Sequence, residues 1–177
     1  MRHLTGSRLV ALVAVVIAVI ACGVALGAAS AGTKHPRPNG CVNSPGVLER
    51  NKENVVNYYE TAFNDKNPEL AVKRYGGREY IQHNPLAANG FDAFIAFVTD
   101  FTTAFPDVHI DIRRVIAECD MVVTHSVATG AVPVYGQFGS KVVDIFRVDS
   151  RGKVVEHWDV LAQQVDPATS KNGNPEV

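Results

Sequence analysis

Apolar side chains recur at helical spacing in the first half of the chain and alternate at strand spacing in the second. Ser44 as cap and Pro45 as first helical residue, followed by Leu48, Val55, Tyr59, Ala62 and Phe63, predict a helix ending near Asn64, where Asp65-Lys66-Asn67-Pro68 breaks it. A short second helix is expected from Glu69 to Arg74, stopped by Gly76-Gly77, and a brief extended piece from Tyr80 to Asn84 ends at Pro85. Phe91 to Phe105 predicts a third helix whose Phe94, Ile95, Phe97, Val98, Phe101 and Phe105 form an apolar surface wide enough to lie under a sheet. From Val108 the period falls to two, giving strands at Val108–Glu118, Met121–Gly130, Val142–Val148 and Lys153–Gln163, with a weaker piece near Gln137. Helices first and a meander of strands afterwards indicate α+β: about three N-terminal helices on one side of a curved, cone-shaped antiparallel sheet, with an incompletely covered pocket.

The last two strands carry the candidate chemistry. Their connection, Asp149-Ser150-Arg151-Gly152, leaves two registers open. A four-residue loop pairs Val148 with Lys153 and sets Asp144 across from His157, with Asp159 on the same face. A three-residue loop with a bulge at Gly152 puts Trp158 beside Asp144 instead, because a one-residue slip inverts every side chain. A carboxylate within Val142-Val143-Asp144-Ile145-Phe146 either pairs with a cation, has its proton affinity raised by desolvation, or sits on an edge strand facing water. His157 and Asp159 are two apart and leave one face, an arrangement that suits acid/base work as well as an ordinary structural pair. His125, between Val123 and Val127, is a third catalytic candidate, with a satisfied core histidine as the bland reading. Tyr59, on the core side of the first helix, needs a partner for its hydroxyl and is a candidate to contact ligand. His83 and Asn84 occupy successive extended positions before Pro85, so only one of them can face inward; both are ligand-contact candidates, as is Trp158. The histidines and Asp159 come from separate strands without compact ligand spacing, so no metal site and no cofactor is expected.

The ends change the picture more than the composition does. Arg2 and Arg8 precede an uncharged stretch from Leu9 to Ala31 that closes on Ala29-Ser30-Ala31. Residues 1–31 therefore read as a signal peptide cleaved before Gly32, with an uncleaved membrane anchor or lipidation at Cys22 as the other fates. All three place the remainder outside the cytoplasm, secreted or in a bacterial cell envelope. Residues 32–43 form a linker, 44–166 one domain, and 167–177 a disordered polar tail. Cys41 and Cys119 then remain as an even pair, able to close a disulfide, or else stand as a free thiol and a small buried residue. With a net charge of −1 and no basic stripe, nucleic acid is not an expected partner. Apolar residues on both faces of the last two strands, including Ile145, Val154, Trp158 and Val160 outside, suggest a homodimer, with Arg147 and Glu156 as an outer ion pair.

YIQHNP at 80–85, the Phe-rich third helix and DIFRV…GKVVEHWDVL together resemble the SnoaL-like family of polyketide cyclase relatives, within the nuclear transport factor 2-like superfamily. The resemblance runs from Asn54 to Gln163. It implies a cofactor-independent intramolecular aldol closure, with Asp159 or Asp144 as acid/base and His125 or His157 polarising a carbonyl. A more distant similarity to ketosteroid isomerase aligns Asp144 with the oxyanion aspartic acid and Tyr59 with the tyrosine, and it favours the register that makes His157 pocket-lining. At the base position that comparison finds Asn84, and an amide cannot abstract a proton. The Asp-Arg-Asp arrangement of limonene epoxide hydrolase fits poorly, since Arg147 alternates away from Asp144. The expectation is thus an enzyme acting next to a carbonyl of a small apolar molecule, by aldol cyclisation or isomerisation. The alternative is a non-catalytic small-molecule-binding or interaction module of the cell envelope.

Overall fold

A computed structural model describes residues 41–177; the leader, most of the linker and Cys22 lie outside the described residues. Helix α1 (Pro45–Tyr59) starts as expected at Pro45, but Ser44 caps through its backbone: its carbonyl accepts from Val47 N and Leu48 N, and its side chain makes no cap bond. The helix does not stop at Tyr59. It widens into a π turn, Glu60–Asn64, closed by Asp65 N donating to Glu60 O. The wide turn delivers the Asn64 amide to a strand edge, where it donates to Ile110 O (2.8 Å) and accepts from Ile110 N (2.9 Å). Helix α2 (Pro68–Tyr75) is capped by Asn67 Oδ1, which accepts from Leu70 N, with Glu69 in its first turn and Lys73 and Arg74 in its last.

Strand β1 (Gly76–Gln82) follows without a loop. Gly77 allows this close approach, since a Cβ there would stand 2.5 Å from Val155 Cγ1. Then come α3 (Phe91–Ala104), β2 (His109–Glu118), β3 (Met121–Thr129), the single-turn α4 (Val132–Tyr135), β4 (Ser140–Val148) and β5 (Val154–Gln163). The strands form one sheet in the order β1-β5-β4-β3-β2. All neighbours are antiparallel except β1, which runs parallel to β5, so the sheet is mixed where a purely antiparallel one was expected. The segment near Gln137 is not a strand.

Alternation decides the two faces. Val122, Thr124, Ser126 and Ala128 of β3, and Val142, Asp144, Phe146 and Val148 of β4, point inward and are buried, with Val55, Tyr58, Phe94 and Val98 of the helices in the same core. Full burial of one such Val or Phe contributes about 1.5–3 kcal/mol. Val123, Val127, Val143 and Ile145 point the other way.

The β4–β5 hairpin matches neither register anticipated. Asp149 N donates to Lys153 O and Gly152, at φ 78°, donates to Asp149 O, which is the three-residue loop. That loop alone would set Asp144 opposite Trp158. One further residue is inserted in β5: Val148 pairs with Val154 while Arg147 pairs with Glu156, so Val155 is extra. The bulge restores the inward face two residues on, and Asp144 stands opposite Asp159, with Phe146 opposite His157. The three-residue loop, by setting Val154 opposite Val148, turns Val154 into the core, contrary to its expected outer position.

Cys41 and Cys119 form a disulfide that closes a 78-residue separation. By chain entropy such a link stabilises the fold by roughly 4 kcal/mol. Residues 167–177 were expected to be structureless; they contain a 3-10 turn, Pro167–Thr169, and return Glu176 to Val165 N and Lys141 Nζ. Among the described residues no helix is long and apolar enough to cross a membrane.

Candidate active site

Between α3, the π turn and the inner face of the sheet lies a cavity of about 430 Å³. Phe63, Phe94, Phe97, Phe101, Phe105 and Tyr135 give it apolar walls, and its polar groups gather where β1, β4 and β5 meet. The innermost group is a triangle. Tyr59 Oη lies 2.9 Å from Asp144 Oδ1 and 2.9 Å from His157 Nε2, and Nε2 lies 3.1 Å from the same carboxylate oxygen. Thr124 Oγ1 donates to Asp144 Oδ2 at 3.1 Å. Asp144 and His157 are only 2% and 3% exposed, so their charges depend on these partners rather than on water.

Tyr59 reaches the triangle because it is the last residue of α1 before the π turn, and its ring is held edge-on by Phe63 and Phe146. Burial first, and then the charge of Asp144, raise its phenol well above the ordinary value of 10.0. The same two causes, in the same order, raise Tyr80, and push Tyr135 up to about 12. These phenols therefore keep their protons to higher pH than an ordinary tyrosine.

Strand β1 supports the site from beside β5. Gln82 pairs with His157 in register, and its Oε1 lies 3.0 Å from His157 Nδ1. Asn84 Nδ2 donates to Asp159 Oδ2 at 2.7 Å, while its Oδ1 accepts from Leu86 N, which fixes the amide's orientation. Asp159 Oδ1 has no hydrogen-bond partner among the described residues, and Asp159 is half-buried at the cavity wall. A carboxylate with one oxygen held and the other open to an apolar cavity suits proton transfer.

Of the residues singled out from sequence, Asp144, His157, Asp159, Tyr59 and Asn84 line this cavity. Three do not. His125 belongs to the outward set of β3, paired with Arg114 and Val143, and its Nδ1 lies 3.2 Å from Arg114 Nη1. His83 and Trp158 also point outward, stacked with ring centroids 4.5 Å apart, and His83 Nε2 lies 2.8 Å from Glu156 Oε1. Arg147 pairs with the other oxygen of Glu156. Partial burial tends to raise that carboxyl, but His83 and then Arg147 outweigh it and hold Glu156 below its usual value.

Gln82, Thr124 and Tyr80 were not singled out. Gln82 was within reach, since it lies two residues before Asn84 on an extended strand and must share its face. Thr124 was not, because β3 offers similarly apolar residues on both faces.

Asp144, His157 and Asp159 each present one ligand-type atom, all within 4.8 Å of one another. Both nitrogens of His157 and both oxygens of Asp144 are already hydrogen-bonded to protein groups, so a cation would have to break that network.

The sequence model of the SnoaL-like polyketide cyclase family matches residues 53–165, the segment that builds the cavity and all five of its lining candidates. The chain belongs to this family. Solved structures agree on the nuclear transport factor 2-like fold. A protein of Jannaschia sp. that carries the SnoaL-like polyketide cyclase name is 25% identical, with a TM-score of 0.55 over 69% of this chain and 91% of that one. TsrD from Streptomyces laurentii is 19% identical, with a TM-score of 0.53 over 67% and 90%. A SnoaL-like protein of unknown function from Burkholderia thailandensis is 16% identical, with a TM-score of 0.51 over 66% and 98%. Among curated proteins none matches the chain.

The raised phenols set a sign for alkaline stability. A folded-state value above 10.0 means that the unfolded chain loses these protons first, so the stabilisation is complete below pH about 10 and is lost as pH rises toward the folded values. In a titration followed at 295 nm, Tyr59 and Tyr80, together with Tyr58, whose phenol is likewise raised chiefly by burial, should ionise only with unfolding, and Tyr59→Phe should remove one tyrosine from that cooperative step. Gradual ionisation of all tyrosines near pH 10, with the fold retained, would contradict the buried network.

Proposed function

We propose that this member of the family is a cofactor-independent acid/base enzyme that moves a proton next to a carbonyl of a small, uncharged, mostly apolar substrate. The observation that carries the reading is the open carboxylate oxygen of Asp159 beside the buried Tyr59–Asp144–His157 triangle, within one apolar cavity. In this scheme Asp159 takes the proton from the carbon next to the carbonyl, and the C–H electron pair moves into an enolate. The enolate oxygen accepts from the Tyr59 hydroxyl, which Asp144 and His157 orient, and Asp159 keeps the abstracted proton until it is returned to the product. Attack of the enolate on a second carbonyl of the same molecule closes a ring; return of the proton to another carbon isomerises it. Asp159 thereby fills the base role that Asn84 cannot, and Asn84 becomes the group that aims it. The described lining contains two carboxylates and no lysine or arginine, which supports an uncharged substrate over an anionic one.

Two further properties belong to the same reading. A homodimer is supported by the outer sheet face, where Ile116 and Val160 are 66% and 67% exposed beside Val143. Export, with the mature chain in the envelope or medium of a bacterium and the leader either removed or retained as an attachment, is supported by the Cys41–Cys119 disulfide, a bond that persists in oxidising compartments.

The central test is deuterium exchange next to the carbonyl of neutral aryl ketones that bind the cavity, followed by NMR. Catalysed exchange is expected, falling by roughly 10²–10⁴-fold in Asp159→Asn. Binding without exchange would transfer the case to the non-catalytic module. In sedimentation the native protein should be a dimer and Val160→Asp a monomer, and a monomeric native protein refutes the outer-face interface. The intact mass of protein recovered outside the cytoplasm should begin at Gly32 and lack two hydrogens for the disulfide. A full-length, reduced chain confined to the cytoplasm would refute export.

A further inference from the structure

Gln82 bonds in three directions, and the only one fixed by covalent chemistry determines the other two. A side-chain amide can turn either its oxygen or its nitrogen toward a neighbour, so its orientation must be deduced from a partner with a single role. The backbone N–H of Asn84 is such a partner: it only donates, and it lies 3.0 Å from the atom assigned as Gln82 Oε1. The other end then donates, and Gln82 Nε2 does face Tyr80 Oη, at 3.3 Å. The same Oε1 lies 3.0 Å from His157 Nδ1. A carbonyl oxygen accepts only, so Nδ1 must carry a hydrogen whether the imidazole is neutral or protonated. The opposite tautomer would set the Nδ1 lone pair against the lone pairs of Oε1, at a buried position where no water relieves the repulsion.

We infer that Gln82 is a positioning residue that fixes the ring hydrogen of His157 on Nδ1 and so confines proton exchange to Nε2, the atom facing Tyr59 and Asp144. A protonated ring then donates from Nε2 toward Tyr59 Oη and Asp144 Oδ1, and a neutral ring turns its Nε2 lone pair to the Tyr59 hydroxyl, whose single hydrogen is then withdrawn from Asp144 Oδ1; no third arrangement satisfies Gln82. Histidines in acid/base sites are commonly oriented by a carboxylate. Here a neutral amide does so, which avoids a third carboxylate beside Asp144 and Asp159. The backbone of β1 reinforces the geometry, because His83 N donates to His157 O at 2.9 Å and holds the two strands together one residue beyond Gln82.

The consequence for catalysis rests on the acid/base reading, but the placement of the hydrogen does not, and the two can fail separately. Long-range proton–nitrogen NMR of the His157 ring, assigned by its absence in His157→Asn, reads both nitrogens without any substrate. In the native protein Nδ1 should carry its hydrogen throughout the pH range of the folded state, with only Nε2 changing. In Gln82→Leu the neutral ring should lose the Nδ1–H signal as the hydrogen moves to Nε2, toward Asp144; in Gln82→Glu the Nδ1–H signal should return. A native Nδ1 without hydrogen, or an Nδ1–H signal retained in Gln82→Leu, overturns the inference. Should Gln82→Leu not fold, the native spectrum and Gln82→Glu decide it. Absence of catalysed exchange, with Nδ1–H intact, would remove only the enzyme reading.

Discussion

The inserted Val155 in β5 fixes which way the polar groups of the cavity point. With the three-residue loop at Ser150–Gly152 and no bulge, β5 would present Trp158 to Asp144 and turn His157 and Asp159 out among Val143 and Ile145. The triangle with Tyr59 could not form, and two ionisable groups would replace apolar ones on the outer face. The bulge changes one count of residues and thereby three chemical environments. It is also kept closed from inside: Val154 and Val155 are both buried, and Gly77 of β1 packs against the extra residue at a distance only glycine permits. A bulge beside a functional site is a common way to re-aim side chains; here it re-aims a strand half.

The groups so aimed are expensive to bury, and their cost is met by a strand that runs parallel to them. Three successive residues of β1 and its extension each serve a residue of β5: Gln82 bonds His157, His83 bonds Glu156 on the opposite face, and Asn84 bonds Asp159. Extended geometry makes this possible, since alternate side chains leave opposite faces and both strands keep the same pitch. A buried carboxylate missing one partner would lose several kcal/mol, whereas a fully bonded network can be held at modest net cost. Asp144 is in the second condition, with Tyr59, His157 and Thr124 around it. Asp159 retains one uncommitted oxygen, and that asymmetry separates a carboxylate whose oxygens are both bonded from one with an oxygen left open.

Much of this was legible in the residues. The three main helices, four of the five strands and the Phe-rich wall followed from periodicity, and the motifs at 80–85 and 144–161 carried the family. The register did not follow, for a physical reason: both the loop length and the bulge depend on packing around Val154, Val155 and Gly77, which local sequence does not encode. Two one-residue errors in that region cancel in face but not in pairing, so Asp144, His157 and Asp159 were grouped correctly while the partner of Asp144 was read as His157. His125 was misplaced because Val122, Thr124, Ser126 and Ala128 are no more apolar as a set than Met121, Val123, His125 and Val127. Alternation identifies two faces, and only tertiary contact says which is inside. The parallel placement of β1 was hidden for a similar reason, as a short extended piece between helices carries no mark of its neighbour.

Precision at the triangle also depends on residues remote from it. Along its middle turns, α1 is pinned to both hairpin tips: Arg50 donates to Ser150 O, Asn51 to Cys119 O and Asn54 to Gly152 O. Gly152 admits this contact because a Cβ there would stand 2.8 Å from Asn54 Nδ2. The disulfide fastens the segment preceding α1 to the β2–β3 tip, and Cys119 N donates to Asn43 Oδ1 beside it. Tyr59 lies five residues beyond Asn54, about 7.5 Å along a rigid helix, so anchoring the tips also fixes the phenol oxygen relative to Asp144. At the other end the cavity is bordered by Leu86, which is 87% exposed, and by the single turn of α4, whose Tyr135 and Val134 carbonyls accept from Ser140 Oγ and Gln163 Nε2. The braced end sets the geometry of the triangle. A substitution at Asn54 or Cys119 can therefore blunt the site by displacing α1 while leaving every cavity-lining residue in place.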